Sequence, residues 1–305
     1  MANNSQMLGI ESIQITPKLM MRASQIDAFK GLWLGLETYT TGLQILSDVA
    51  AHGAKVQRVL SPLKDKEITP EIIKALHAVQ TGGKGASAYK TADNLLPVSR
   101  GDTVIGELET AAPEHVEPLI NKLLGWLNES LTRREMHPLI VIAVFTAVFL
   151  QISPFETGNM RTVRFLILLL LLKSDYRYAP YVPLDRIMED EGERVFRALS
   201  HNQESLEQGR PDWSAWLNCF FDLLVQQKNI LDERLNEKDK DLSKLPTLSA
   251  RVMRLFEEHD RLQMNDIVKL TRGRRSTLKL RLGELVDQGY LRRHGRARST
   301  WYSQI

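Results

Sequence analysis

The feature that most restricts how this chain can fold is a pair of apolar runs, Leu139 to Leu150 and Phe165 to Leu172, separated by a short polar stretch. Each run is too continuous for a strand with one wet face, and neither reaches the ~20 apolar residues needed to cross a bilayer. A run that is apolar on every side is buried on every side, so both are expected to be central helices. The stretch between them reads Ser153, Pro154, Phe155, Glu156, Thr157, Gly158, Asn159, Met160, Arg161, Thr162, Val163, Arg164. Pro154 disfavours helix at Ser153 and ends the first run. Gly158 permits a backbone turn closed to other residues, and Asn159 is a natural N-cap for a helix starting at Met160.

A helix beginning there would present its free N–H groups beside Arg161 and Arg164. A positive dipole end, open amides and guanidinium forks together make a corner suited to phosphate. The plainer reading is that Gly158 only allows the turn while both arginines pair with carboxylates.

The order of residues resembles the signature loop of the Fic family, His-Pro-Phe-x-(Asp/Glu)-Gly-Asn-(Gly/Lys)-Arg-x-x-Arg. Pro154, Phe155, Gly158, Asn159, Arg161 and Arg164 match it without a gap. Members of that family mostly transfer AMP from ATP to a protein hydroxyl. The resemblance therefore implies Gly158, Asn159, Arg161 and Arg164 as phosphate-binding residues, ATP as the nucleotide and a protein as the target. It implies a mostly α fold, a Fic-type helical bundle with a small β-hairpin flap. Three positions depart from the pattern. Ser153 stands where the family's basic histidine would be, Thr157 replaces the metal-binding carboxylate, and Met160 replaces a small residue of the cradle.

These departures have chemical consequences. A serine hydroxyl cannot act as general base near neutral pH, and loss of such a base costs about 10²- to 10⁴-fold in rate. Without a carboxylate at Thr157 the usual hold on Mg²⁺ is gone, which weakens neutralisation of the phosphates. Ordinary adenylyl transfer is therefore not expected, and the catalytic position Ser153 is expected to be inactive. Glu156, one place early, would need a rearranged loop to reach a metal.

With 305 residues the chain has room for about two domains. A charged fraction of 25% and a mean hydropathy of -0.24 describe a water-soluble globular composition. The single cysteine, Cys219, lies beside Phe220 and Phe221 and is expected in the core of a protein in a reducing compartment. The opening residues Met1 to Ser5 show no secretory pattern, so a cytoplasmic location and no membrane partner are expected.

Charge is unevenly placed. From Lys244 onward there are 14 Lys and Arg against 6 Asp and Glu, while the rest of the chain carries a net negative balance of 26 against 31.

Along the chain, Thr16 and Pro17 open a helix with Leu19, Met20, Ala23, Ile26 and Phe29 at helical spacing. A second helix is expected over about 42–60. Fic proteins with an N-terminal regulatory helix carry a Ser-x-x-x-Glu-Gly brake in this region, and Gln57 would stand at its glutamate. Thr69, Pro70 and Glu71 start another helix that stops near Gly82. The polar region after it can form short strands at Tyr89 to Thr91 and Val104 to Gly106, at the place of the family's flap. His115 and His137 read as helix caps or surface residues, and no set of side chains has metal-ligand spacing, so no metal site is expected. Helices are then expected over about 184–199 and 213–231. The resulting division is 1–110 for the N-terminal helices and flap, 111–232 for the rest of the Fic-like core, and at 233–246 a charged segment that is a linker or the frayed end of a long helix.

The segment 247–305 has a pattern of its own. Three short helices, ending with one from Arg274 to Asp287, precede two strands joined around His294 to Ala297. This arrangement resembles a winged helix-turn-helix, with a C-terminal winged helix domain as the expected fold and DNA as the partner. Arg274, Arg275, Ser276, Thr277, Lys279 and Arg281 would lie on or near the leading turns of the reading helix, and Arg296 and Arg298 on the wing. A winged helix used for protein contacts is the alternative. Winged helices often work in pairs, which would make a homodimer. The chain then reads as a DNA-binding transcriptional regulator with an impaired Fic-like core, or as an AMP transferase with an altered mechanism.

Overall fold

A computed structural model describes residues 12–39, 56, 58–82, 87–243, 245–295 and 299–304. The protein is mostly helical with two small antiparallel sheets. It divides into two compact units, residues 1–31 with 52–229 and residues 32–51 with 230–305. Most of the helix expected at 42–60, including Gln57 and its comparison with the regulatory motif, lies outside the described residues.

The first unit begins with α1 (Pro17–Tyr39), whose Leu19, Ala23, Ile26 and Phe29 are buried as their spacing requires, whereas Met20 is exposed. Next comes α2 (Pro70–Thr81), where Thr69 caps by accepting from the Ile72 N–H and Gly82 ends the helix at φ 72°. Strands β1 (Leu95–Arg100) and β2 (Thr103–Glu109) form a hairpin with a bulge at Val98 and Ser99. The first strand thus falls later than Tyr89 to Thr91. Those residues are committed elsewhere: Lys90 N–H donates to the Pro154 carbonyl at 2.9 Å and Thr91 N–H to Glu156 at 2.7 Å.

Helix α3 (Pro113–Arg133) leads to α4 (Pro138–Ile152), in which every residue from Leu139 onward is buried. His137 caps α4 by accepting from the Leu139 N–H and also contacts Asp27 at 3.0 Å. Helix α5 (Asn159–Lys173) is the second central helix, with Leu166 to Leu172 buried. Its start differs from expectation. Gly158, at φ 78°, occupies the cap position, and Asn159 is the first helical residue with no capping bond from its side chain.

The region expected as one helix over 184–199 is two, α6 (Leu184–Asp190) and α7 (Gly192–Glu207). The break has a packing reason. A Cβ at Gly192 would meet the Ser99 carbonyl oxygen at 2.7 Å, so glycine lets α7 start directly against β1. Helix α8 (Ser214–Ser243) continues through most of the charged segment, which is thus the end of a long helix, the second of the two expected readings. Its Trp216 donates to the Ala143 carbonyl at 2.7 Å, fixing it to α4. Cys219 is buried and its thiol is pushed up to about 12 by burial.

In the second unit, α9 (Thr247–Glu258), α10 (Met264–Thr271) and α11 (Arg275–Asp287) pack with a sheet of β3 (Leu262–Gln263), β4 (Leu291–His294) and β5 (Trp301–Gln304). The strand order is β3-β5-β4, all antiparallel. Val252, Phe256, Ile267, Leu278, Leu282, Leu285 and Leu291 form the core. A reciprocal cap between Gln263 and Asp266 starts α10, and Gly289 at φ 80° ends the turn after α11. No helix among the described residues is long and apolar enough to cross a membrane.

Candidate functional site

The corner between α4 and α5 is built from the inside. Ser153 ends α4 with φ 41°, is fully buried, and its hydroxyl donates to the Leu150 carbonyl at 2.6 Å. Pro154 cannot supply a further helical N–H, so the chain leaves the axis here. Phe155 then turns into the core, where the His77 ring of α2 stacks on it at 3.8 Å and 15°.

Asn159 holds this turn closed. Its carbonyl oxygen accepts from the Phe155 N–H at 3.0 Å, and its amide donates to the Phe155 carbonyl at 2.7 Å. Asn94 donates to the same carbonyl at 2.9 Å. The asparagine therefore serves the loop backbone in place of the helix end.

His77 ties the loop to α2. Its Nε2 lies 2.9 Å from the Thr157 carbonyl, which can only accept, so Nε2 carries the proton. Its Nδ1, 2.6 Å from the Ser87 hydroxyl, completes the pairing of the ring. The sequence reading passed over this residue. Helical spacing aligns His77 with buried Ile73, which marks it as inward-facing, but nothing local shows that it meets a loop 80 positions later.

The remaining polar groups divide unequally. Glu156 accepts from the Thr91 N–H and lies 3.3 Å from the Thr91 hydroxyl, and the Thr91 N–H holds its carboxyl below the usual range. Arg164 donates to Glu189 at 2.7 Å while its Nε is buried without a partner. Arg164 thus takes the carboxylate-paired alternative. Arg161 is exposed and, among the described residues, has no hydrogen bond or ion pair. Of the residues expected to hold phosphate, Gly158 shapes the turn, Asn159 and Arg164 are committed to the protein, and Arg161 alone is exposed.

The donor set does not suit Mg²⁺. Thr157 offers no carboxylate, and the neighbouring Glu156 is turned to Thr91. The Ser153 hydroxyl is likewise spent on its own helix and has no access to solvent.

A second group of candidate residues lies in the C-terminal unit. Arg274 is the residue before α11, and Arg275, Ser276, Thr277 and Lys279 are exposed on its first turns. Arg275 donates to Asn265 at 2.6 Å, and Arg281 turns to Glu284 at 2.7 Å. Between α11 and the β4–β5 hairpin runs a groove of about 840 Å³, to which Arg275, Lys279 and Arg293 contribute. Arg293 was not singled out from the sequence. The two-residue period of β4 could have found it, because it places Arg293 on the same side as buried Leu291. Arg296 and Arg298 lie outside the described residues.

Residues 67–171 match the model of the Fic/DOC family. The fold is shared with a Fic family protein from Desulfovibrio desulfuricans G20, at 16% identity and a TM-score of 0.51 over 96% of this chain and 97% of that one. A Fic domain containing signaling protein from Bacteroides thetaiotaomicron VPI-5482 is also similar, at 16% identity and a TM-score of 0.48 over 76% of this chain and 96% of that one. No curated protein matches the chain. The Fic/DOC match contains the Ser153 to Arg164 corner, the hairpin and both central helices.

Proposed function

We propose that this protein is a DNA-binding regulator in which a winged helix-turn-helix unit binds the duplex and the Fic-type core has lost transfer activity. The observation that carries the reading is the convergence of Arg275, Lys279 and Arg293 on one groove beside exposed Arg274. The order of elements, three helices with a β3-β5-β4 sheet, supports a winged helix. Its charge balance of 14 basic to 6 acidic residues from Lys244 onward suits a polyanion. Phosphate neutralisation by these cations makes binding fall steeply with salt, by about 0.9 in log-log slope per phosphate contacted.

The test is duplex binding by the full chain across a salt series, compared with Arg274→Ala/Arg275→Ala. Weaker binding and a shallower salt slope in the double variant are expected. Equal affinity of the two proteins would remove α11 from the interface.

For the core, the reading is of a module that holds its signature loop shut with its own groups. One observation favours residual nucleotide binding, and with it the alternative of an altered AMP transferase acting on a protein hydroxyl. Arg161 sits unpaired on the first turn of α5, where it could meet an ATP phosphate. Calorimetry with ATP, with and without Mg²⁺, and with Arg161→Ala as control, separates the cases. Saturable binding that disappears in Arg161→Ala would support a nucleotide sensor, and incorporation of label from ATP into protein would overturn the loss of transfer.

A further inference from the structure

The face of α11 that turns away from its own core borders the basic groove but carries an apolar side chain at its centre. Leu278, Leu282 and Leu285 define the inward side, and Arg275, Lys279, Gly283, Val286 and Asp287 lie along the groove beside the hairpin. Half a turn from the core, at 100° per residue, stand Ser276, Leu280 and Asp287, with Gly283 adjoining them. Two of these choices are unfavourable for a helix face that meets only water. Leu280 is 60% exposed, and Gly283 weakens a helix interior although a Cβ there would meet nothing within 4 Å. Neither residue is explained by packing within the unit.

Resting on the DNA reading above, we infer that Leu280 is a specificity-determining residue that packs on the C5-methyl group of a thymine in the major groove, with Gly283 letting the helix approach closely. Ser276 and Leu280 are four residues apart and lie one above the other on the same face, so a base edge near one is near the other. The cations on the groove side set the register by holding phosphates, and they carry no sequence information themselves. Leucine cannot hydrogen-bond, so the only feature of a major-groove base edge it can favour is apolar. The thymine methyl is that feature. Charge complementarity selects DNA as the occupant of this face, because Arg275 and Lys279 line the groove that Gly283 shares with it.

The experiment begins by enriching duplexes from a randomised pool with the full-length protein. Each thymine of the recovered site is then replaced singly by deoxyuridine, which removes only the methyl group. In the wild type, replacement at one thymine, or at two adjacent ones, should weaken binding by about 3- to 10-fold. In Leu280→Ala the same replacement should cost nothing further, while circular dichroism shows an unchanged fold. Recovered sites whose deoxyuridine forms all bind like the parent would overturn the contact, as would a penalty undiminished in Leu280→Ala. Either of those results leaves DNA binding standing. Failure to enrich any duplex would instead overturn DNA binding itself and this contact with it.

Discussion

Replacing Asn159 separates a loop built to hold itself from one built to hold a ligand. The side chain is 4% exposed and makes two bonds to Phe155, one to its N–H and one to its carbonyl. In Asn159→Ala the carbonyl keeps the Asn94 amide as donor, but the buried N–H loses the side-chain oxygen it donates to. An orphaned buried donor costs about 1–3 kcal/mol, and the lost second bond adds about 0.5–1.5 kcal/mol. Urea unfolding should therefore show a loss of about 2–4 kcal/mol, and hydrogen exchange of the Phe155 amide should accelerate sharply. Asn159→Asp refines the test. Its carboxylate can accept from the Phe155 N–H but faces the carbonyl without a proton, so burial and the carbonyl should raise its folded-state pKa. A raised pKa means stability that is present below the unfolded value near 4 and is lost as pH rises through the folded value. The Asp variant should accordingly fall further below the wild type at pH 8 than at pH 5. A loss under about 0.5 kcal/mol for the Ala variant, with unchanged amide exchange, would refute the staple.

Ser153→His, which would restore the family's base in name, should destabilise the fold by about 1–3 kcal/mol because the site is fully buried and its φ is 41°. Label from ATP appearing on that variant would count against the reading of a closed loop, and thermal unfolding checks the stability. Gly283→Ala should stabilise α11 by about 0.5–1 kcal/mol in chemical unfolding yet weaken duplex binding several-fold, since the added methyl has room in the protein but not against a base edge. Stabilisation without loss of binding would show that close approach is not needed there. Burial, with Glu117 and Glu71 nearby, pushes the Tyr89 phenol up to about 12, while burial and Asp27 raise Tyr176 and Tyr178. The stability these phenols contribute is present below pH ~10 and declines above it, so phenolate absorbance should show them ionising together with unfolding. Reversible titration of all seven tyrosines near pH 10 with unchanged circular dichroism would contradict this.

The parts of the fold visible in the sequence were those set by local rules. Thr69, Pro70 and Gly82 bound α2 because capping and positive φ involve only neighbouring residues. The central position of α4 and α5 follows from runs that no solvent-facing helix could carry. What was missed depended on distant partners. Tyr89 to Thr91 have strand-like composition, but their amides are taken by Pro154 and Glu156, and the hairpin starts at Leu95 instead. Asn159 has the chemistry of an N-cap, yet Phe155, bent back by Pro154, offered it both a donor and an acceptor. The choice between phosphate and carboxylate for Arg164 rested on Glu189, 25 positions away.

The stretch from Ser153 to Arg164 resembles the Fic signature only in part, and the geometry gives the matching residues a use inside the protein. Phe155, Gly158 and Asn159 fit the pattern, and each has work inside the protein: an aromatic stack, a left-handed turn and a backbone staple. Ser153, Thr157 and Met160 do not fit, and they stand where the family's chemistry would require a base, a metal ligand and a small cradle residue. An imidazole acting as base must reach solvent and substrate, whereas this hydroxyl is buried on the Leu150 carbonyl and lengthens the cap of α4. Arg161 is the exception, since it fits the pattern and has no hydrogen bond or ion pair among the described residues. Phe155 and Asn159, by contrast, hold together the corner that joins the two central helices.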